Sequence, residues 1–380
     1  MINYFIIRIG MKWDNLNYDE LKNKCHSHEI ERSVNWRDQW GNWEASFGDL
    51  PYDFPFLDNL RLLQEGKKRS VWPNDAPFAI CLTHDIDSIT SSNHPKIALN
   101  NLSKKKYLKS GLSKLMLQYS ILKQQIKKTV VMEKTDPFWQ FEKWIEVEQK
   151  HGFKSTFFSF MRPSNEALSE FDCDYFPDDI TRFRGIKMTG IDLIKEIDKT
   201  GCEIGLHGSY NSFNSINILK SQKDRLEQIV GKEVVSSRQH YLHYDINSTP
   251  NVHKEVGLKI DSTLGFNKSI GFRAGTCFPY QILNEKYEAT GVWEIPQIIM
   301  DLSLFSNNGL ELNLDLAIER CIRKMDQVEK VGGCLTLNFH PEHIALPHYF
   351  ALYSKILEEA KHRNAFNGST ADFYNLAKGA

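Results

Sequence analysis

The chain has 380 residues, with 47 lysines and arginines against 48 aspartates and glutamates, a formal net charge of −1. That balance argues against a general nucleic-acid binder. At 41% hydrophobic residues the chain can build a packed core, and its length suits one large domain with a small addition.

The N-terminus, MINYFIIRIGMKW, is a short apolar run interrupted by Arg8 and lacks a small-residue cleavage site. Neither a signal peptide nor a membrane span is expected there, and a cytoplasmic protein is. Residues 1–75 read as a small module. Trp13, Trp36, Trp40 and Trp43 fall in it, with the turn-rich GDLPYDFP at 48–55 and a weak helical pattern near 54–65. WGNW at 40–43 reads as a sugar-stacking surface or, more commonly for such a motif, as a small aromatic core. The seven cysteines (Cys25, Cys81, Cys173, Cys202, Cys277, Cys321 and Cys334) are scattered, odd in number and without CxxC spacing. They read as reduced, buried thiols.

From residue 76 the pattern becomes strand, loop, helix, repeated. Strands are predicted at about 77–83, 154–160, 202–207, 234–238, 258–263, 291–296 and 334–340. Helices are predicted at 136–151, 189–201, 215–230, 313–330 and 349–362, the first with Asp136 as N-cap and Pro137 at its first position. Thr189 caps the second and Gly201 stops it. Such alternation predicts an α/β fold, a parallel sheet with helices outside it, and about seven repeats favour a closed or nearly closed (β/α) barrel. One segment, 93–135, breaks the rhythm, being long for a βα loop. Between Lys104 and Lys134 it carries nine lysines and one acid, Glu133. Leu112, Leu115, Leu117, Ile121 and Leu122 recur there at helical spacing, so it reads as a solvated basic helical insertion. The sharper alternative is an arm touching anionic lipid or an anionic substrate headgroup.

Polar residues gather where the predicted strands end. The first gives His84, Asp85 and Asp87; the third gives His207, then Gly-Ser-Tyr-Asn211. The fourth gives Arg238, His240, Tyr241 and His243, and the seventh gives His340-Pro-Glu-His343. Ligands of barrels and open α/β sheets sit where parallel strands end. Two carboxylates one residue apart are costly to bury unless a cation or a shared proton offsets their repulsion. A lone His or Asp at a strand end is commonly a cap or core hydrogen-bond partner. Four strands converging on carboxylate and imidazole point instead to a site for zinc or a similar divalent ion.

These residues, in this order, resemble the polysaccharide deacetylase superfamily, the NodB-homology proteins similar to carbohydrate esterase family 4. The resemblance covers about 76–380. THDID at 83–87 resembles the first motif of that family, HGSYN at 207–211 the second, RQHY at 238–241 an Arg-x-Pro-Tyr motif, and LNFH at 337–340 the last. SSRQHYLHYD, DSTLGFNKSIGFRAG and EIPQIIMD are similar to a bacterial branch found with surface-polysaccharide genes, which also carries a short N-terminal domain. The resemblance implies a distorted (β/α)7-type barrel and a divalent metal, with Zn2+ the expected ion. It implies Asp85 as base, braced by Arg238, Asp87 as metal ligand and His340 as acid. The Tyr241 backbone N–H would serve the oxyanion and His343 would be a second acid or rim residue; Arg273 reads as a substrate contact, a brace for a carboxylate or, equally, a structural salt bridge.

Two departures bear on the ligands. Ile86 separates the two acids, so Asp87 is the metal aspartate. Asn211 stands where the second metal histidine is expected, while His240 replaces a proline on the next strand. The expected ligands are Asp87, His207 and His240, with Asn211 the rival third ligand and otherwise a substrate contact. The implied activity is metal-dependent removal of an N-acyl group from an amino sugar of a glycan, or of its nucleotide- or lipid-linked precursor, in surface-polysaccharide biosynthesis. The alternatives are an inactive relative that binds carbohydrate and a glycoside hydrolase using Asp85 with another acid. Peripheral membrane contact would run through 104–134.

Overall fold

The computed structural model describes residues 17–33, 37–44, 52–68, 71–91, 136–162 and 171–379. The basic segment, Trp13 and Trp36 lie outside them. Among the described residues three α-helices precede the sheet: α1 (Tyr18–His26), α2 (Glu29–Ser33) and α3 (Phe56–Glu65). The Asn17 side chain caps α1 through the N–H groups of Asp19 and Glu20. Only Leu21 and Cys25 of α1 are buried, too few apolar positions for sequence periodicity to reveal that helix.

The main run begins with β1 (Ala79–Ile86), α4 (Phe141–Lys150) and β2 (Thr156–Ser159). A ribbon of β3 (Ile180–Phe183) and β4 (Ile186–Thr189) leads into α5 (Gly190–Lys199). Then come β5 (Glu203–Gly208), α6 (Ile216–Val230), β6 (Ser236–Gln239), α7 (Thr249–Glu255) and β7 (Ile260–Asp261). Next are β8 (Tyr280–Leu283), β9 (Ala289–Glu294), β10 (Ile299–Met300), α8 (Asp301–Phe305) and α9 (Leu314–Val331). The chain ends with β11 (Cys334–Asn338), α10 (Pro347–His362), β12 (Phe366–Gly368) and α11 (Thr370–Gly379).

The sheet order is β10-β11-β1-β2-β5-β6-β7-β9-β8, with β12 beside the first half of β1. The seven strands foreseen in the sequence are β1, β2, β5, β6, β7, β9 and β11. Their spatial order is a cyclic permutation of chain order, as a (β/α) barrel requires. Neighbours among them pair in parallel, and β8 adds an antiparallel strand at the edge. Among the described residues no ladder joins β8 or β9 to β10, so the barrel is distorted and open there. All eight residues of β1 are buried, which explains its near-continuous apolar reading.

The expected caps divide. Thr189 forms a capping box with Asp192. Asp136, however, does not cap α4, which starts five residues later. Its Oδ1 accepts from the Phe138 N–H at 2.9 Å. Its Oδ2 accepts from Thr90 Oγ1 at 2.6 Å and the Ser91 N–H at 2.8 Å. The local turn and the tie to Thr90 and Ser91 win over helix initiation.

Arg273 ties the early helices to the barrel through two hydrogen bonds to Glu31 of α2, at 2.8 and 2.7 Å. Asp58 of α3 accepts from the Cys277 N–H at 2.8 Å and Thr276 Oγ1 at 2.9 Å. Among the described residues all seven cysteines are buried and free, and no helix is long and apolar enough to cross a membrane.

Candidate metal centre and active site

The site lies at the C-terminal ends of β1, β5, β6, β10 and β11, where a parallel barrel exposes its loops. It opens into a cavity of about 630 Å³.

Asp85, 3% exposed, sits one residue before the end of β1. Its Oδ1 accepts from Arg238 Nη1 at 3.0 Å and its Oδ2 from Asn338 Nδ2 at 2.7 Å. Arg238 is fully buried and wholly engaged. Its Nε donates to the Ser262 carbonyl at 2.7 Å, Nη2 to Ser262 Oγ at 2.8 Å and Nη1 to Thr83 Oγ1 at 2.7 Å. Its guanidinium lies over the Phe158 ring, 4.6 Å from the centroid. A charge can stay buried when it is this fully partnered.

Asp87, just past β1, faces a different group. Its Oδ1 is 3.2 Å from both His207 Nε2 and His240 Nδ1, and those two nitrogens are 3.0 Å apart. Cys173 Sγ stands 3.6 Å from the same oxygen and 3.5 Å from His240 Nδ1. Donors about 2.0–2.3 Å from a tetrahedral zinc stand about 3.3–3.6 Å from one another; these four atoms, all within 4.8 Å of one another, come close to that spacing and could hold one ion. His207 Nδ1 is 3.0 Å from the Arg238 carbonyl oxygen. A carbonyl only accepts, so that nitrogen carries the proton and Nε2 keeps its lone pair for a metal. Arg238 therefore braces Asp85 with its side chain and orients His207 with its backbone. Burial opposes ionisation of Asp87, but the charge of His240, the close contacts with His207 and His240 and the nearby His340 hold the carboxyl well below its usual range. Burial pushes the Cys173 thiol well up, helped by Asp87 and Asp172.

A third group faces them. Asp301, fully buried, accepts from His340 Nδ1 at 2.7 Å, from the His340 N–H at 2.9 Å and from His343 Nδ1 at 2.7 Å. His340 Nε2 is thereby turned toward Asp87, 3.6 Å from its Oδ2. Burial would lower the His340 pKa, but Asp301 and then Asp87 raise it well above the ordinary histidine value.

The structure thus brings Asp85, Asp87, His207, Arg238, His240, His340 and His343 together. Tyr241 also lines the cavity, in a left-handed turn with φ 60°. Asn42 and Asn267 hold its carbonyl at 2.8 and 2.9 Å. Two residues are not brought in. Asn211 is exposed on the turn after β5 and does not line the cavity, because the turn carries it outward while His240 fills the space beside His207. Arg273 is taken up by Glu31 and the Gly265 carbonyl and likewise does not line the cavity; of the roles foreseen for it, the geometry gives the structural salt bridge and not the substrate contact. His84 is a core residue, its ring nitrogens 2.7 Å from the Phe339 carbonyl and 2.8 Å from Glu148. The WGNW motif is split, with Trp43 buried against Tyr52 and Phe266 and Trp40 lining the cavity. From the sequence alone, neither Cys173 nor Asp301 is given a role. The strand-like IPQIIM ahead of Asp301 was a usable signal, whereas nothing periodic surrounds Cys173.

No protein-family model matches the sequence, and no curated protein does. Solved structures do resemble it. A Mycobacterium smegmatis protein described as a polysaccharide deacetylase superposes with a TM-score of 0.53 at 18% identity, over 81% of this chain and 92% of that one. The PuuE allantoinase gives 0.51 at 13% identity, over 83% and 94%. A Pseudomonas aeruginosa PAO1 protein, also described as a polysaccharide deacetylase, gives 0.49 at 13%, over 82% and 94%. The first two share with this chain the distorted (β/α) barrel that the motifs at the strand ends led us to expect.

Proposed function

We propose that this protein is a metal-dependent amide hydrolase that removes an N-acyl group from an amino sugar, acting in surface-polysaccharide biosynthesis. The observation that carries the reading is the division of labour between neighbouring carboxylates. Asp85 is neutralised by an arginine that leaves no room for a metal, while Asp87 shares donor spacing with His207 and His240.

A divalent ion held by Asp87, His207 and His240, zinc by preference for these donors, would polarise an acyl carbonyl and make water more acidic. The chain's own residues do the rest. Asp85, held by Arg238 and Asn338, accepts a proton from the attacking water. The Tyr241 N–H donates to the carbonyl oxygen as it gains charge. His340, kept protonated and oriented by Asp301, gives its Nε2 proton to the departing sugar nitrogen. Trp40 and Tyr241, ring centroids 6.4 Å apart, offer aromatic faces for a sugar ring. The cavity's size suits one or two sugar units with part of a carrier. A cytoplasmic nucleotide- or lipid-linked precursor is the substrate form we favour, with the lysine-rich segment 104–134 meeting its phosphate or a membrane surface. An inactive carbohydrate-binding relative is the competing reading, suggested by the absence of a histidine at Asn211.

The test is acetate release from N-acetylated amino-sugar oligosaccharides and their nucleotide-linked monomers by zinc-loaded protein. Release that is lost on chelation and restored by zinc supports the reading. Tight sugar binding with no acyl release under any metal would overturn it in favour of the binding protein.

A further inference from the structure

Cys173 belongs to the metal cluster by geometry, yet the functional reading above gives it no task. Its position is built rather than incidental. The Asp174 N–H donates to the Asp87 carbonyl at 2.8 Å, tying the segment to the end of β1. Asp172 pairs with Arg162 and accepts from the Tyr210 N–H at 3.0 Å. Tyr175 Oη accepts from the Phe160 N–H at 2.9 Å. These ties to three separate strand ends fix Sγ at 3.5–3.6 Å from His240 Nδ1 and Asp87 Oδ1. That is the edge length expected between a sulfur donor and a nitrogen or oxygen donor on one tetrahedral ion, because metal–sulfur bonds are longer than metal–nitrogen bonds by about 0.2–0.3 Å. Asn211, the residue that sequence order offers as a further ligand, is turned to solvent.

We propose that Cys173 is a fourth protein ligand, making the centre a two-nitrogen, one-oxygen, one-sulfur site. The proposal rests on the reading of Asp87, His207 and His240 as metal ligands and adds two things to it. A soft sulfur donor selects zinc, cobalt and similar ions over magnesium and manganese. It also closes the tetrahedron, so a substrate or water ligand must either expand the coordination or displace the sulfur. On ligation the S–H bond breaks as the sulfur–metal bond forms, and the proton passes to solvent.

The test uses the full chain loaded with Co2+, read by absorbance, in wild type and in Cys173→Ser. The expected result is a near-ultraviolet sulfur-to-cobalt charge-transfer band in the wild type that is absent in the variant. The variant should still bind Co2+, with affinity lower by about tenfold or more. X-ray absorption of the zinc-loaded wild type, which needs no variant, should show a sulfur scatterer at about 2.3 Å. Stoichiometric cobalt without the band, or a zinc shell without sulfur, overturns the proposal and leaves the three-ligand reading standing. Persistence of the band in Cys173→Ser also overturns it. Failure of the wild type to bind either ion removes the proposal and the metal-dependent reading together.

Discussion

The two carboxylates at the end of β1 are the same residue type, two positions apart, and they live in opposite surroundings. Asp85 is saturated by Arg238 and Asn338, with both oxygens engaged by fixed donors. Asp87 is 24% exposed and faces two imidazoles and a thiol, all of them metal donors. What differs is the partner, not the acid. A buried guanidinium excludes a metal by supplying the compensating charge itself, whereas imidazole and thiol supply lone pairs that call for a cation.

That contrast can be broken from either side. Asp85→Asn should lower kcat by about 10²–10⁴-fold while leaving bound metal unchanged, since it removes a proton acceptor and no ligand; metal loss on this substitution would collapse the distinction. Arg238→Met should destabilise the fold by about 3–5 kcal/mol in urea titration, because it leaves Asp85 charged and without its main partner. His207→Ala acts on the other side and should weaken zinc affinity by about 100-fold or more, with far less effect on metal-free stability. Asp301→Asn probes the third group. His340 has a folded pKa above its ordinary 6.5, so its contribution to stability is complete below about pH 6.5 and is lost as pH rises through the folded value. Asp301 is depressed below 3.8, so its contribution is present above that pH and is lost as pH falls. The drop in Tm caused by Asp301→Asn in metal-free protein should therefore be larger at pH 6 than at pH 9. Asn211→Ala should be the quietest change, within about 0.5 kcal/mol in stability and without loss of zinc. A metal-free Asn211→Ala protein would return that residue to the ligand set.

The seven parallel strands were legible because buried strands flanked by capped helices leave a strong pattern. So was the convergence of Asp87, His207 and His240, since each ends such a strand. Cys173 was not, because it reaches the site from an irregular segment whose position depends on ties to β1, β2 and β5 rather than on any local period. Asn211 misled for the related reason that motif spacing gives order along the chain and not the direction of a turn. Arg273 could be given three roles, and only the placement of Glu31 chooses among them. Chemistry was less legible than fold, as one architecture carries both a deacetylase-described protein and an allantoinase among the structures it resembles.

Asp136 carries a last consequence. Its carboxylate holds Thr90 and Ser91 on one side and starts the turn into α4 on the other, so the chain leaves and re-enters the barrel at one point. Ser88 and Phe138, at that junction, line the cavity. The 44 residues from 92 to 135 therefore span a gap that a few residues could bridge. Replacing them with a four-residue glycine-serine linker would lower the closure entropy by about 2 kcal/mol while keeping every side chain of the metal cluster. The graft would separate two parts of the proposed function: reaction with a small soluble amino sugar, expected of the barrel alone, and preference for a phosphate-bearing carrier, expected of the lysines.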